Sequence, residues 1–580
     1  MDKKTLQAFL LIGLILMAMP YYYRMIGISP EEEGQTISEN DSLFVEQNNA
    51  PQTTNNETIQ NTQENTNQRF SKTNVEEKIN IETNLFNAII SSNSGGSIKS
   101  FILKDYSLND STLVNLVING LNDKNLVLSY SNFVGENISL DHNWKLISNN
   151  YGYNNIKIEQ NPLELTFQTS VNNSTVEKKL VFYPNKYFVD IMVNFKSLSN
   201  SISQNRVNLM WKGGVPMTEP NPKDEGTFYA SNISQGKEIS KHNKKKNLFL
   251  TGATDWVSTR SKYFTTAIIP KSSSNYGEIL SFNDPNTYNQ IINSNVNNSK
   301  LFIDGNVPVY HTKIGFDSND FIEATLYLGP LQYDNLKEFN VGLENTMSFG
   351  IAPIRGIGRA VLSLLTFLYK YIPNYGMVLI VFSILVKLLV YPLTKKSYQS
   401  MKAMTSIQPE VQKLRDKYKN DPQRVSQETL KLYKTHGVNP LGGCLPMLLQ
   451  MPLLFALFIV FRSTIELRGA PFLFWIDDLS RPDALIDLPF FIPLYGDQIS
   501  ILPLIMGLSM FVQQKMSTVS ANPQQKMMTQ FMSIFMIVLF NQFPSGLNLY
   551  YTLFNILTIL QQRFINRDST PRAGAVPIKN

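Results

Sequence analysis

One lysine, Lys387, lies inside a run of apolar residues that is long enough to cross a membrane. The run covers residues 375–393, and Lys387 stands twelve residues after its start and eight before Lys395. At about 1.5 Å of helical rise per residue, the Cα of Lys387 lies on the order of 10 Å from that end of the run. A lysine within the hydrocarbon costs roughly 2.5–3.5 kcal/mol, so it either faces a polar cavity or extends its ammonium to the headgroups. The spacing leaves both arrangements open.

Other apolar runs carry uncharged polar side chains that would suit the lining of such a cavity. Amides and hydroxyls between packed membrane helices also hydrogen-bond one helix to another, and this structural role is the commoner one for each residue taken singly. As a group they predict a hydrophilic interior. The candidates are Gln450, Gln513, Gln514, Thr529, Ser533, Asn548, Tyr551 and Asn555.

The composition gives little support for metal, disulfide or nucleic-acid chemistry. Cys444 is the single cysteine, so the chain cannot form an intramolecular disulfide. The four histidines are scattered, and we expect no metal site, no cofactor and no covalent catalysis. A formal net charge of +6 over 580 residues is also too small for a dedicated nucleic-acid binder.

Six stretches are apolar and long enough to be predicted as membrane-spanning helices. The first, residues 1–23, begins with Lys3 and Lys4 and ends in tyrosines without a small-residue cleavage site, which favours an uncleaved anchor over a signal peptide. Residues 347–372 mix arginines with apolar positions and predict a helix that lies in the membrane interface. The remaining predicted spans are residues 373–396, 444–462, 499–516, 525–543 and 547–565.

Basic residues set the orientation of these helices. Residues 395–434 carry ten Lys or Arg, whereas residues 462–498 carry three Arg against six acids. Because basic loops stay in the cytoplasm, we predict a cytoplasmic segment at 397–437 and a periplasmic one at 463–498. Both termini, including the short basic tail 566–580, are then cytoplasmic, and the region between the first two spans is periplasmic.

The N-terminal half divides into a polar tether and a β-rich region. Residues 24–74 are rich in Asn, Gln, Thr and Glu and predict a disordered tether. Residues 75–346 alternate apolar and polar positions, as at Leu163, Leu165 and Phe167, with turn residues between the runs. The predicted fold is therefore an α-helical polytopic membrane bundle, an anchor plus a five-helix core, with a large extracytoplasmic antiparallel β-sandwich domain.

The cytoplasmic segment has the pattern of a helical hairpin. Ile407, Val411 and Leu414 follow helical spacing, Asp421 suits an N-cap, and Gly437 suits a C-terminal stop. The simpler interpretation is a solvated loop whose positive charge fixes the membrane topology. The alternative is a docking surface, and its basic candidates are Lys402, Lys413, Arg415, Lys417 and Arg424.

Several short motifs follow one another in a fixed order over about 200 residues of the C-terminal third. Any one of them alone would be weak, but their ordered spacing is specific. They are Tyr391-Pro392-Leu393-Thr394, Asn439-Pro440-Leu441-Gly442-Gly443-Cys444 with Pro446 and Gln450-Met451-Pro452, Glu466-Leu467-Arg468, Ala470-Pro471-Phe472, and Phe543-Pro544-Ser545-Gly546-Leu547 with Tyr550-Tyr551.

With these motifs, residues 349–567 resemble the YidC family of membrane protein insertases. The β-rich region is similar to the periplasmic domain of Gram-negative members. The resemblance implies a water-filled groove that holds a positive residue, usually Arg, so Lys387 keeps the charge but lacks the guanidinium fork. It also implies that substrates contact the third and fifth spans, where flexible methionines suit varied apolar partners. These are Met447, Met451, Met528, Met532 and Met536.

The same resemblance implies partners and a function. The partners are newly made membrane proteins, the Sec translocon, a ribosome or targeting factor at the hairpin, and the lipid bilayer. The function is insertion and folding of inner-membrane proteins. A secondary transporter is one alternative, although we find no internal repeat. A periplasmic receptor or carbohydrate enzyme built on the β-sandwich is another.

Overall fold

The computed structural model describes residues 75–108, 111–118, 124–203, 206–282, 309–318, 320–350, 352–419, 421–438, 445–517 and 523–568. The predicted anchor at 1–23, the tether at 24–74 and most of the tail at 566–580 lie outside these residues. The chain forms two compact units. One holds the chain as far as Pro330 together with Leu336–Thr346, and the other holds Leu331–Asn335 and the chain from Met347 onward.

The first unit is built of β-strands, as the alternating pattern predicts. In β9 every second side chain is buried, including Leu163, Leu165 and Phe167. The strands are β1 (Lys78–Glu82), β2 (Phe86–Ser91), β3 (Ser97–Ser107), β4 (Leu113–Asn115), β5 (Leu126–Ser131), β6 (Asn137–Ser139), β7 (Lys145–Asn149), β8 (Asn155–Lys157), β9 (Leu163–Val171), β10 (Ser174–Phe182), β11 (Phe188–Asn194), β12 (Arg206–Trp211), β13 (Ala230–Gln235), β14 (Glu238–His242), β15 (Leu248–Thr251), β16 (Trp256–Arg260), β17 (Phe264–Pro270), β18 (Ser274–Phe282), β19 (Val309–Asp317) and β20 (Phe321–Pro330).

These strands form three sheets. A nine-stranded sheet has the order β14-β13-β16-β17-β20-β11-β10-β9-β7, and a six-stranded sheet has the order β15-β18-β19-β12-β5-β6. They pack face to face, with β16 and β17 against β19, and a five-stranded sheet of order β4-β3-β2-β1-β8 completes the unit. Among the described pairings only that of β1 with β8 is parallel, so the prediction of a largely antiparallel, β-rich domain is confirmed.

A buried lysine ties two of the sheets together. Lys178 on β10 is fully buried, and its ammonium donates to the carbonyls of Ser94 at 3.0 Å and Leu126 at 2.8 Å. Burial lowers the pKa of Lys178 to about 7. The turn beside it uses Gly95 and Gly96 at positive φ, and a Cβ on Gly95 would meet the Trp144 ring at 2.6 Å. Trp144 is itself buried, as is Trp211, which pairs with Leu126 across β5 and β12.

The second unit is mainly helical. Its long helices pack in pairs, with α3 on α7, α4 on α10, and α8 on both α9 and α10. The helices of the chain are α1 (Pro222–Gly226), α2 (Tyr333–Lys337), α3 (Ala352–Tyr369), α4 (Tyr375–Ser406), α5 (Gln408–Lys417), α6 (Pro422–Thr435), α7 (Leu445–Ser463), α8 (Ile501–Ser517), α9 (Pro523–Phe540) and α10 (Ser545–Asp568), with short 3-10 turns at Lys196–Ser201, Leu343–Thr346 and Ile465–Leu467.

Helix α4 is the one helix in the described ranges that is long and apolar enough to cross a membrane. Asn374 caps it by accepting from the N–H of Met377 at 3.0 Å, and it runs without a break through Pro392. It ends at Ser406, ten residues beyond the predicted end of the span at 396. Shorter apolar stretches lie at Gln450–Ser463, Ile501–Met516 and Gln530–Phe540. The five-span core therefore stays a prediction.

Two connecting segments differ in how well their local structure was predicted. At 397–437 the expected helical pair is present as α5 and α6, where Asp421 accepts from the N–H of Arg424 at 3.1 Å and Gly437 has a φ of +63°. At 463–498 the sequence analysis predicted no regular structure. The segment contains a β-hairpin instead, of strands β21 (Ala484–Ile492) and β22 (Gly496–Ser500).

Candidate functional site

Lys387 is buried between α4 and α10. Its ammonium donates to the Thr558 hydroxyl at 2.7 Å and lies 4.5 Å from the centroid of the Phe554 ring. Only 7% of the residue is exposed. Of the two arrangements that the sequence left open, the geometry matches the inward-facing one, because the ammonium is held by a side chain of the neighbouring helix.

A recess borders this ammonium. It has a volume of about 60 Å³, which is large enough to hold water. Its wall mixes amides and hydroxyls with apolar side chains and draws on α4, α7, α8 and α10. The lining residues are Val386, Lys387, Val390, Thr394, Tyr398, Gln450, Leu453, Gln513, Phe554 and Thr558.

Hydrogen bonds continue along the seam between α4 and α10. The amide of Gln561 donates to the Thr394 hydroxyl at 3.0 Å, and the Tyr398 hydroxyl lies within hydrogen-bonding reach of Thr558 and Gln562. These contacts satisfy polar groups that would be costly to bury alone. They also hold the two helices in the register that brings Lys387 to Thr558.

The positive charge of Lys387 has no carboxylate partner among the described residues. An ammonium carries three donors, and Thr558 accepts one of them. The other two are left for water in the recess or for an acceptor that enters it. A positive charge without a counter-ion in a partly enclosed site attracts anionic groups more strongly than the same charge would in bulk water.

The structure brings three of the predicted groove residues together. Lys387, Gln450 and Gln513 all line the recess, although they come from three different helices. The side chain of Thr529 lies outside the described residues.

Five other predicted groove residues have different positions, and here the prediction is corrected. Ser533 donates to Gln514 at 2.8 Å and links α9 to α8. Asn548 is fully buried and donates to the carbonyls of Phe540 and Phe543, which closes the turn between α9 and α10. Their amide and hydroxyl groups serve helix packing, which was the alternative that the sequence left open.

Tyr551 is also absent from the lining of the recess. Its ring packs edge-on against Phe540 and Tyr550, and its buried hydroxyl has no hydrogen-bond partner among the described residues. Asn555, one turn further along, donates to Ser509 at 3.1 Å and joins α10 to α8. The polar side of α10 therefore divides between helix packing and the recess.

Sequence reasoning missed four lining residues that contact or flank the lysine. Thr558, Phe554, Thr394 and Tyr398 all face the recess. A signal for Thr558 was present, because polar residues recur every three or four positions along α10 and the pattern does not stop at Asn555. Thr394 closes the Tyr391-Pro392-Leu393-Thr394 motif.

The predicted substrate-contact methionines are described in part. Met451 on α7 is 37% exposed, and Met532 and Met536 on α9 are half-buried. The side chains of Met447 and Met528 lie outside the described residues. The exposed or half-buried members lie on the third and fifth predicted spans, where the resemblance places the substrate.

Comparison with known proteins identifies the family. A family model described as "YidC periplasmic domain" matches residues 78–357, and one described as "60Kd inner membrane protein" matches residues 367–572. The membrane protein insertase YidC of Chlorobium limicola is 34% identical over 525 residues, 87% of this chain and 86% of that protein. Its counterpart from Chloroherpeton thalassium is 33% identical over 592 residues, 98% of this chain and 96% of that protein.

The chain belongs to the YidC family of membrane protein insertases. The YidC of Syntrophus aciditrophicus is similarly 32% identical over 98% of this chain and the whole of that protein. Family membership places the chain in the inner membrane, with a large β-rich periplasmic domain and a helical C-terminal region. It does not favour the transporter or receptor alternatives.

The basic residues predicted for a docking surface lie on α5, α6 and the end of α4, mostly at the surface. Lys402, Lys413, Lys417 and Arg424 are exposed and Arg415 is half-buried. The guanidinium of Arg424 lies 4.9 Å and the ammonium of Lys417 5.3 Å from the centroid of the Tyr418 ring. The Tyr418 ring therefore brings two of these cations close together.

Another motif of the YidC resemblance packs at the opposite end of the helices. The Oε2 atom of Glu466 is buried and has no hydrogen-bond partner in the described structure, and burial, with a smaller contribution from the Asp334 charge, raises the pKa of Glu466 to about 7. Phe472 lies on Gly376, where a Cβ would come within 1.8 Å of the ring. These residues fix the end of α7 against the start of α4.

Proposed function

We propose that α4 and α7–α10 form a five-span insertase core and that the recess beside Lys387 receives the polar segment of a substrate during insertion. The observation that carries this proposal is the placement of Lys387. It is a buried ammonium with no carboxylate partner among the described residues, and it faces a recess lined by Gln450, Gln513 and Thr394.

The recess lowers the barrier that a polar tail meets in a bilayer. In hydrocarbon each unsatisfied backbone or side-chain polar group costs several kcal/mol. Waters and amides in the recess replace part of the hydration shell of the tail over part of the membrane thickness. The ammonium adds attraction for acidic side chains, which supplies a direction without any bond being broken.

The apolar part of the substrate takes a separate path along the lipid-facing side of α7 and α9. Met451, Met532 and Met536 offer flexible thioether side chains that adapt to different apolar helices. The hydrophobic effect then drives the new helix into lipid once its polar tail has crossed. In this mechanism the chain acts as an insertase and chaperone and performs no covalent catalysis.

Topology and partners complete the proposal. Both termini and the pair α5–α6 lie in the cytoplasm, and the β-rich domain lies in the periplasm, as the distribution of basic residues indicates. The exposed cations of α5 and α6 then face incoming nascent chains, a ribosome or a targeting factor. The chain works alone or beside the Sec translocon, since a lateral path into lipid serves both routes.

Substitution of Lys387 tests this mechanism. Cells depleted of the protein are rescued with wild type, Lys387→Arg, Lys387→Ala or Lys387→Glu, and the insertion of small membrane proteins with acidic or neutral tails is scored by protease accessibility. A hydrogen bond to a charged group is worth about 1.5–3 kcal/mol, so we expect roughly a tenfold or greater loss for Lys387→Ala with acidic tails. Lys387→Glu should be worse still, and Lys387→Arg should retain activity.

The matched control is Lys515→Ala at the end of α8, an exposed lysine whose ammonium lies 4.8 Å from the Phe511 ring centroid. It removes one positive charge from the same unit and should leave insertion unchanged. Equal insertion by the wild type and all three Lys387 variants would remove the ammonium from the mechanism. A loss that is independent of tail charge would reduce its role to packing.

A further inference from the structure

The hairpin of β21 and β22 exposes an unusual amount of apolar surface. Every residue of β21 except Leu488 is exposed, and the strand contains two phenylalanines. Soluble proteins seldom leave so contiguous an apolar patch in water unless the patch has a partner. The large exposed side chains are Leu485, Ile486, Phe490, Phe491, Ile492 and Leu494.

The hairpin is fixed to the ends of two helices. Asn541, just after α9, accepts from the N–H of Ser500 at 3.0 Å and donates to the carbonyls of Tyr495 and Gln498 at 2.8 and 2.7 Å. The Asp483 carboxylate accepts from the N–H groups of Ile501 and Leu502 at the start of α8. The hairpin therefore stands where both helices end on the side away from the basic cytoplasmic segment.

Apolar side chains cover both faces of β21. The pairing of β21 with β22 is irregular, and neighbouring residues of β21 are exposed together, as at Leu485–Ile486 and Phe490–Phe491, so the exposed apolar side chains are not confined to one face. A rigid protein partner would cover one face and leave the other in water. A fluid apolar phase surrounds both, so the two-sided pattern favours lipid over a docked protein or a second copy of the chain.

Charge and hydrogen-bonding capacity are both low between Leu488 and Gly496. The ionisable side chains with charge at neutral pH between 484 and 500 are Asp487 and Asp497, and the nine residues 488–496 between them carry none. Pro489 and Pro493 have no backbone N–H, so this segment brings fewer unpaired donors into an apolar phase. Tyr495 lies in the turn, where its N–H donates to the carbonyl of Ile492 at 3.1 Å, and an aromatic residue with a hydroxyl suits the membrane interface.

A second exposed apolar residue lies beside the hairpin. Phe474 is 90% exposed and adopts a φ of +63°, a conformation that is unfavourable for a bulky residue. Its ring stacks on Trp475, whose indole N–H donates to the same Asp483 carboxylate that caps α8. The strained backbone thus presents a phenylalanine next to the hairpin, at the same end of the helices.

We propose that the β21–β22 hairpin, together with Phe474, inserts into the extracytoplasmic leaflet of the bilayer and anchors the mouth of α8 and α9 in lipid. The inference rests on the proposed function, since it requires α8 to cross the membrane. The uncharged segment 488–496 suits the headgroup–acyl boundary, which amphipathic elements enter by about 5–10 Å. The charged side chains of the hairpin are both acidic, so its insertion does not require anionic lipids.

Depth-dependent quenching tests this insertion on the full chain. Single-cysteine variants Phe491→Cys, Leu494→Cys and Asp497→Cys, each in a Cys444→Ser background, are labelled with a nitrobenzoxadiazole fluorophore and reconstituted in phosphatidylcholine vesicles. Leu389→Cys on α4, where Leu389 is 79% exposed, reports the membrane core. We expect nitroxide lipids to remove most of the emission at 389, 491 and 494, and aqueous iodide to quench mainly at 497.

The outcomes separate the hairpin from the membrane core. Quenching of 491 and 494 by iodide, with 389 still quenched by lipid, overturns the insertion and leaves the insertase core standing. Protection of 491 and 494 from both quenchers indicates a protein partner and also overturns it. Loss of lipid quenching at all positions, including 389, overturns the membrane core itself.

Discussion

At the residue scale, the site depends on how a single buried ammonium is shared. Thr558 accepts one of its three donors and Phe554 offers the face of its ring, so the charge is stabilised without being neutralised. A carboxylate in place of Thr558 would form a closed ion pair and leave little attraction for a substrate. The hydroxyl therefore keeps the lysine both buried and available.

Thr558→Val tests this sharing, because valine has nearly the same shape and lacks the hydroxyl. We expect Lys387 to lose its acceptor, and a buried unsatisfied donor costs about 1–3 kcal/mol. Insertion of acidic-tailed substrates should fall, by less than in Lys387→Ala. The control is Thr552→Val on the same helix, since both hydroxyls donate to the carbonyl four residues earlier and Thr552 does not line the recess. Equal insertion defects in both valine variants would contradict a role for Thr558 in positioning the ammonium.

Residue type and spacing explain which residues of the site could be predicted from the sequence and which could not. Lys387 stood out because a charge in an apolar run is costly, and Gln450 and Gln513 because amides in such runs are scarce. The repeat of polar residues along α10 indicates one polar side of the helix. The repeat does not tell which of these residues pack against other helices and which line the recess. Only the packing shows that Asn548 closes a turn while Thr558 reaches the lysine.

At the element scale, single polar side chains fix the ends of the helices. Asn541 satisfies one N–H and two carbonyls of the segment that leads into α8. It thereby fixes the hairpin through hydrogen bonds within the chain, which do not depend on whether lipid or water surrounds the exposed apolar side chains. The stability of this element should therefore respond sharply to the chemistry of one amide.

Asn541→Asp separates the acceptor role of the Asn541 amide from its donor role. The acceptor for Ser500 is retained, but both donors are lost and a negative charge faces the carbonyls of Tyr495 and Gln498. We expect faster hydrogen exchange over 495–500 in the full chain, whereas Gln530→Ala at an exposed position of α9 should leave the exchange unchanged. Unaltered exchange in Asn541→Asp would show that β22 is held by strand pairing alone.

The hairpin also shows where sequence reading failed for an element. Residues 484–493 contain two prolines and nearly continuous apolar residues, so the alternation that indicated β9 is missing, and no strand was predicted. A strand that is surrounded by lipid is apolar at successive positions, so polar residues no longer alternate with apolar ones. The end of α4 was missed for a related reason, because the apolar run stops near 393 while the backbone stays helical to Ser406.

At the scale of the whole molecule, the boundary between the two compact units differs from the boundary that the sequence pattern predicted. The predicted β-domain ended at 346, yet Leu331–Asn335 belong to the helical unit and Leu336–Thr346 to the β-rich one. Tyr333 explains the first assignment, since its ring contacts Phe349 and lies 5.8 Å from the guanidinium of Arg359 on α3. The alternation of apolar and polar residues along the chain does not predict such contacts between separate segments.

Two deletions in the full-length protein should therefore behave differently. Removal of residues 78–330 deletes strands and keeps Tyr333, so we expect the depletion-rescue assay to show insertion near the wild-type level. Extending the deletion to 335 removes the Tyr333 ring, whose aromatic and cation–π contacts are each worth about 0.5–1.5 kcal/mol, and should lower insertion and the melting temperature in detergent. Tyr333→Ala in the intact chain should reproduce part of that loss, while Tyr333→Phe keeps the ring and should not. If the shorter deletion alone abolished insertion, the helical unit would depend on the β-rich domain for its activity, and the assignment of insertion to the five-helix core would fail.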